Sequence, residues 1–557
     1  HPAPTMLQNY LAYIVRHRSW VIVVTLLVSA FWATRIGHLQ VVVDTSQNLP
    51  QDHPYVSATK EIEQLFGGRN LVVIGVESVS GDIYQPEMLA RVMRITDGVL
   101  QIPGVIRSNV ISVSARKAKD IKGTGDGMLI RPLLETIPRT ADDLARLKRA
   151  IADNPIYIDS IVSKDGRMAL VIADFTLGPD LPGYRAIKDR VEAVIDRERD
   201  PSVNMYLGGI SINLAWLEIY SQRMAYYFFV SLAVIMGVLY LSFRSIQGMA
   251  IPIVTALLSV VWGLGVMGLL EVPMDAFNVT TPILIMAVAA GHSVQILKRY
   301  YEEFARLGDS SAAVVASLTK IGPVMLTAGS IATVSFLTLM VFPTATIRIF
   351  GLFTATGILA AMILELTFIP AIRSALPPPS RFEAEREGTR GYVDRLTDTL
   401  ADLVTAGRWR QLTSAGVVLL LVLLMGIQRL EVDNSIKGSF AEDSLVRLDD
   451  NALNAAMGGS NTLYLLVEGP APDAIKNPAV LKAMEAVQRY LETRHELVGK
   501  TQSVVDFLQK MNRALHEDDP AYDRLPEDRD LIAQSLLLYS MSGDPGDLDS
   551  YVDYEYR

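Results

Sequence analysis

"GGRNLVVIGVE" (Gly67–Glu77) returns close to 390 residues later as "GGSNTLYLLVE" (Gly458–Glu468). Two further blocks recur in the same order and at nearly the same offset. "VDTSQNLPQDHP" (Val43–Pro54) recurs as "VDNSIKGSFAED" (Val432–Asp443), and "DNPIYIDSIV" (Asp153–Val162) as "GDPGDLDSYV" (Gly543–Val552). Three aligned blocks, each copy following one apolar segment, mark a duplication. The second copy stops at Arg557, before its last strands and before a matching block of five apolar segments. A fragment of a twelve-span protein is therefore expected.

The apolar segments number seven: Ser19–Thr34, Met224–Phe243, Gly248–Leu270, Phe277–Leu297, Ile321–Val341, Ile349–Ile372 and Leu412–Ile427. A helix that crosses a hydrocarbon core needs about 20 residues, and these meet or approach that length. The composition agrees: 50% of the 557 residues are hydrophobic and 20% charged, with a mean hydropathy of +0.27. Six spans follow the first, and no small-x-small cleavage site does, so the first reads as an uncleaved anchor. Lys and Arg gather before span one, at Arg244, from Lys298 to Lys320, and from Arg373 to Arg410. Full crossings put all these ends on one side, the cytosolic one, with Arg348 as the exception. Gln40–Arg223 and the chain after Arg429 then lie outside.

These assignments divide the chain as follows. Residues 1–18 are a cytosolic N-terminus that begins with a tag scar, and 19–37 are span one. The first periplasmic domain is 38–223, spans two to six are 224–375, and a cytosolic linker is 376–410. Span seven is 411–429, and 430–557 begin a second periplasmic domain. In the first domain, Asn70–Glu77, Val105–Val113, Met168–Phe175 and Val203–Gly209 read as strands. Pro86–Leu100, Ala141–Ile151 and Tyr184–Arg197 read as helices. The alternation predicts βαβ units and an α+β, ferredoxin-like fold, with Lys117–Gly127 as a turn-rich crossing between its halves. His53 and Asp44 read as turn or cap residues. Leu297–Leu318 reads as an amphipathic connection along the inner surface or as a solvated linker.

A net charge of −9 argues against a nucleic-acid partner. The chain has no cysteine, which removes disulfides, thiolate metal sites and cysteine nucleophiles. No GxxxxGK[ST], HExxH or GxSxG pattern is present, so neither ATP hydrolysis nor other enzymatic chemistry, and no cofactor or metal, is expected.

His292, in "MAVAAGHSVQILKRYYEEF" (Met286–Phe304), is ionisable inside an apolar span. Such groups are costly in a bilayer, so they are functional candidates by default. His292 lies six residues from the basic end of span four, and Glu365 seven residues from the matching end of span six. Their depths agree, and span five brings Thr327 and Ser330 to the same level. A histidine and a buried carboxylate can share a proton in the physiological range. Simpler readings stand beside this one. His292 can donate to a backbone carbonyl, and Glu365 can snorkel or pair with Arg373. Gly357, Ala361 and Glu365 share a face of span six, Gly329 and Thr333 a face of span five, and Gly291 and Ala289 flank His292. Such small residues suit close helix packing.

The plan of one span, an outer domain and five spans, begun a second time, resembles the resistance-nodulation-division superfamily, and within it the MMPL and hopanoid-transporter-like branch. The motifs that carry the resemblance are "NLPQDHP", "LKRYYEEF", "GPVMLTAGSIATVSFLTL" and "FGLFTATGI…LTFIPAI". It implies proton-driven export of a sterol-like, hopanoid-like or other hydrophobic substrate, through ferredoxin-like porter domains, by a homo-dimer or trimer embedded among membrane lipids. It also implies one or two aspartates in span four, where this chain has "AVAAGHS". Either Gly291 and His292 mark changed proton chemistry, or coupling is lost. A Patched-like lipid or sterol receptor and a SecD/SecF-like translocation accessory are the alternatives. Two further expectations concern the outer domain. It has no room for a channel-docking layer, so cargo passes to a soluble periplasmic carrier. It also holds an apolar cavity lined by Leu71–Val76 and Ala169–Phe175.

Overall fold

The structure, a computed structural model, describes residues 6–43, 49–125, 127–178, 180–379, 392–405, 409–430, 435–542 and 546–557. Asp44, residues 1–5 of the expected tag scar, and residues 380–391 and 406–408 of the expected linker lie outside them. Among the described residues, seven helices are long and apolar enough to cross a membrane: Arg18–Ile36, Ile210–Phe243, Ile246–Leu269, Asn278–Leu307, Ser310–Val341, Ala345–Ala375 and Trp409–Arg429. Each coincides with an expected span. The chain divides into a membrane unit, His1–Pro50 with Tyr220–Asp433, and an α/β unit, Gln51–Ile219 with Asn434–Arg557.

Glycines set the packing of the membrane unit. A side chain at Gly265 or Gly268 of span three would overlap the backbone of Trp32 or Arg35 in span one. Trp262 Nε1 also donates to Ser29 Oγ at 2.8 Å between the same two helices. Spans three, four and six meet where Ile285 lies against Gly263 and Gly357. The connection between spans four and five is shorter than expected. Span four continues as helix to Leu307, Gly308 closes it in the left-handed conformation, and Asp309 caps the next helix through Ser311 N and Ala312 N. No separate surface helix lies there, because Gly308 allows a tight reversal that needs no longer linker.

In the α/β unit, β1 (Leu71–Ser78), β4 (Met168–Asp174) and β5 (Val203–Gly208) form one antiparallel sheet in the order β4-β1-β5. Ile74 stands opposite Val171 and Leu207. Val72, Ile74 and Val76 share a core with Val92, Ile95 and Val99 of helix Pro86–Leu100 and Ile187, Val191 and Ile195 of helix Tyr184–Asp196. The other face carries Val73, Met168 and Leu170 against Leu453 and Met457 of the second repeat. A side chain at Gly75 would strike Leu453, so the glycine in "VVIGVE" makes room for that leucine. Both faces of β1 and β4 are thus filled, and the apolar cavity expected along Leu71–Val76 and Ala169–Phe175 is replaced by packed side chains.

Three other expectations are corrected. Val105–Val113 is not a strand: a 3-10 turn at Arg107–Asn109 interrupts it, leaving single bridges Val105–Phe175 and Ile111–Ile172. The turn is held by Asn109, whose amide donates to Phe66 O at 3.2 Å and Asp174 Oδ2 at 3.1 Å. The sheet consequently has three strands, not the four of a ferredoxin-like unit. Lys117–Gly127 is not an open crossing, since β2 (Lys119–Thr124) and β3 (Gly127–Pro132) pair as a hairpin. His53 does cap helix Pro54–Phe66, its Nδ1 accepting from Tyr55 N at 3.2 Å.

Candidate functional site

Two contacts fix the relative height of spans four and six. Ile285 lies against Gly357, and two turns further in, His292 Nδ1 is 3.4 Å from Glu365 Oε2. The glycine allows the helices to close, and closure brings imidazole and carboxylate together. His292 is half-buried, whereas Glu365 is 0% exposed. The distance suits an ion pair but the geometry is not that of a hydrogen bond. Neither Glu365 oxygen has a hydrogen-bond partner among the described residues. A carboxylate so placed is strongly disfavoured as an unpaired charge. Imidazolium with carboxylate, or imidazole with carboxylic acid, are the neutral ways to occupy the pair, and one proton moved between them converts one into the other.

Arg373, one of the largest fully buried side chains, does not reach Glu365. Its guanidinium donates to Gln247 Oε1 at 2.5 Å, to the Tyr300 hydroxyl at 2.9 Å and to Pro377 O at 3.1 Å. It also lies over the Tyr300 ring. Its two terminal nitrogens are thereby engaged near the basic end, and His292 is left as the ionic partner of Glu365.

The hydroxyls expected from span five are not brought to the pair. That helix buries Gly322, Met325 and Gly329. Thr327 projects from the opposite side, exposed, with its hydroxyl donating to Pro323 O at 2.9 Å. Ser330 is exposed as well. Residue counting gives depth along a helix but not direction around it. Span three supplies buried hydroxyls instead. It runs opposite to span four from the Gly263–Ile285 contact, which carries Ala256 to the level of His292. Thr255 and Ser259, fully buried, flank that level and donate to Ile251 O and Thr255 O. Their four-residue spacing inside an apolar span was the available signal. Among the small residues, Gly329 lies against Met362, Gly357 against Ile285, and Ala361 is buried. Gly291 is exposed with open space where a side chain would go, so it is no packing contact.

Seven apolar helices with an ionisable pair between spans four and six, and an α/β unit in the chain after the first, define a multi-pass membrane protein of transporter type. The chain belongs to the MMPL family, whose family model matches residues 87–425. It is similar to a membrane protein of Methanocaldococcus jannaschii, 23% identical over 334 residues, which cover 58% of this chain and 82% of that protein. A membrane protein of Streptomyces coelicolor is 25% identical over 354 residues, 59% of this chain and 48% of its own length. The membrane protein ActII-3 of the same organism is 22% identical over 248 residues, 42% and 35% respectively. The chain thus spans about half or less of the two Streptomyces relatives.

Proposed function

We propose that this chain is part of a proton-driven transporter that moves a lipid or other hydrophobic molecule, of sterol or hopanoid type, out of the bacterial inner membrane, with His292 and Glu365 as its protonatable pair. The observation that carries the reading is the 3.4 Å approach of His292 to Glu365 inside the bundle. Membership of a transporter family supports the transport class. The pair answers the question posed by "AVAAGHS": histidine on span four and glutamate on span six replace the acidic residues expected on span four alone. One added proton turns a neutral pair into a cation, and its removal restores attraction between spans four and six. A change of that kind biases two packings of the same helices. In this reading the α/β unit is a periplasmic porter domain that hands cargo to a soluble carrier. The filled faces of β1 and β4 direct that route elsewhere than between those strands.

The test uses the protein in proteoliposomes with an imposed proton gradient and a fluorescent lipid cargo. The wild type should move lipid only with the gradient, and His292→Ala and Glu365→Gln should each lower that movement at least about tenfold. Lipid binding without a gradient should stay nearly unchanged. Wild-type rates in both variants would make His292 a packing residue and end the proposal.

A further inference from the structure

Eleven residues outward from His292 on span four is Thr281, and eleven residues outward from Glu365 on span six is Thr354. Eleven residues are close to three full turns, about 16 Å, so each threonine lies on the same helix face as its ionisable partner. The Ile285–Gly357 and His292–Glu365 contacts set the register of the two helices, and that register puts Thr281 level with Thr354. Asn278 stands one turn before Thr281. These three residues are 1% (Asn278), 3% (Thr281) and 0% (Thr354) exposed. Asn278 Oδ1 and Nδ2, Thr281 Oγ1 and Thr354 Oγ1 have no hydrogen-bond partner among the described residues. The loop does not use the Asn278 side chain. Its turn is made by Asp275 Oδ1, which accepts from Phe277 N at 3.0 Å and Asn278 N at 2.8 Å.

Buried amide and hydroxyl groups in native proteins find partners, and where side chains and backbone supply none, water does. Four such atoms lie within one turn of each other, on the faces that lead to His292 and Glu365, and protein groups leave them to be satisfied by water. Between the two levels the interface is apolar and tight. Ile285 fills the space over Gly263 and Gly357, followed by Ala289, Ile358 and Ala361, all buried.

We propose that Asn278, Thr281 and Thr354 form a hydrated outer station through which protons reach His292 and Glu365, and that Ile285 against Gly357 is the apolar gate between station and pair. Amide and hydroxyl groups suit this role because each can both accept and donate, so they hold a chain of waters without trapping the proton. The inference rests on the reading of His292 and Glu365 as the protonatable pair.

Two measurements test it. These 557 residues contain no cysteine, so single cysteines placed among them stand out without removing native thiols from this chain. Silver ion, a small cation, is added from the outer side of sealed vesicles, and thiols that it protects are counted by later alkylation of the denatured protein. Thr281→Cys and Thr354→Cys should be protected at least about tenfold faster than Ala289→Cys beyond the gate. Equal rates, or no protection at the first two, would overturn the station. In the second measurement, Thr281→Val and Thr354→Val keep the shape and remove the hydroxyl. Each should slow gradient-driven transport about tenfold with the melting temperature unchanged, and Thr354→Ser should restore the rate. Unaltered transport in both valine variants, with His292→Ala and Glu365→Gln inactive, removes the station and leaves the pair. Activity in those last two variants removes the pair itself.

Discussion

The two copies of the repeat differ most where their sequences agree best. Val72, Ile74 and Val76 of β1 are each 0% exposed. Their counterparts in "GGSNTLYLLVE", Leu463, Leu465 and Val467, are 71%, 61% and 41% exposed, and residues 461–468 are in no strand. The apolar alternation is the same, so local pattern is not the cause. β1 is a strand because β4 and β5 hydrogen-bond to both its edges, while helices Pro86–Leu100 and Tyr184–Asp196 cover one face. Residues 461–468 have no such strands beside them among the described residues. The helices show the converse. Pro54–Phe66, Pro86–Leu100 and Ala141–Ala152 of the first copy recur as Leu445–Ala456, Pro478–Glu492 and Arg529–Ser542. A helix satisfies its own backbone and a strand depends on neighbours. The first copy even borrows from the second, whose Leu453 covers Gly75 and Gly208.

The largest expected effect breaks this comparison directly. Ile74→Asp places an unpaired carboxylate in the filled core and should unfold the α/β unit, a loss of roughly 4 kcal/mol or more. Leu465→Asp, at the matching position, should change stability by no more than about 0.5 kcal/mol. Pulse proteolysis of the detergent-solubilised protein in a urea series reads both. Similar losses in the two variants would mean that Leu465 has a buried environment after all.

This contrast also explains how much could be read in the residues. The seven spans, β1, β4, β5 and the helices Pro86–Leu100, Ala141–Ala152 and Tyr184–Asp196 follow from periodicity and length, which are local, whereas helix Pro54–Phe66 was not read. The approach of His292 to Glu365 followed from counting residues inward from the basic ends, because parallel helices share a depth scale. The side of span five on which Thr327 and Ser330 lie did not, since an apolar helix gives little sign of which face it buries. Nor did the β2–β3 hairpin. It looked like a loop because the partners of Gly123 N and Lys119, Asp518 and Asp547, lie far along the chain in the second copy.

The next effect concerns one of those partners. Lys119 Nζ is 3.3 Å from Asp547 Oδ2, with side chains 6% and 5% exposed. Asp547 belongs to the recurring "GDPGDLDSYV" block, so this ion pair ties the second copy to the hairpin of the first. Asp547→Ala would leave an ammonium buried opposite no carboxylate, a loss of about 3 to 5 kcal/mol. Replacing both, Lys119→Met with Asp547→Leu, should recover most of that loss, because the cost lies in the stranded charge. A double variant as unstable as the single one would show that the carboxylate holds the block by its other contacts.

The smallest effect comes from Lys117, two residues earlier in the chain. Its counterpart in the second copy, close to the same offset, is Leu508, which is fully buried. The first copy thus holds a cation where the second holds a hydrocarbon. Burial pushes the Lys117 ammonium down to about 8, against the opposing pull of Asp547 and Asp549. The amine also bonds to Ser550 Oγ and Ser108 O. The folded value lies below the ordinary 10.5, so below pH 8 the lysine is protonated in both folded and unfolded chains and its full penalty is present. Between pH 8 and 10.5 the unfolded chain holds the proton more tightly, and stability gains with rising pH. Lys117→Leu, which gives the first copy the residue of the second, should therefore stabilise the protein at pH 7 by on the order of 1 kcal/mol, reduced by solvent screening and the lost hydrogen bonds. The advantage should shrink as the pH rises from 8 to 10. Proteolysis midpoints of both proteins at pH 7, 8.5 and 10 measure it, and a difference that stays constant across that range would mean that Lys117 keeps its proton in the folded unit.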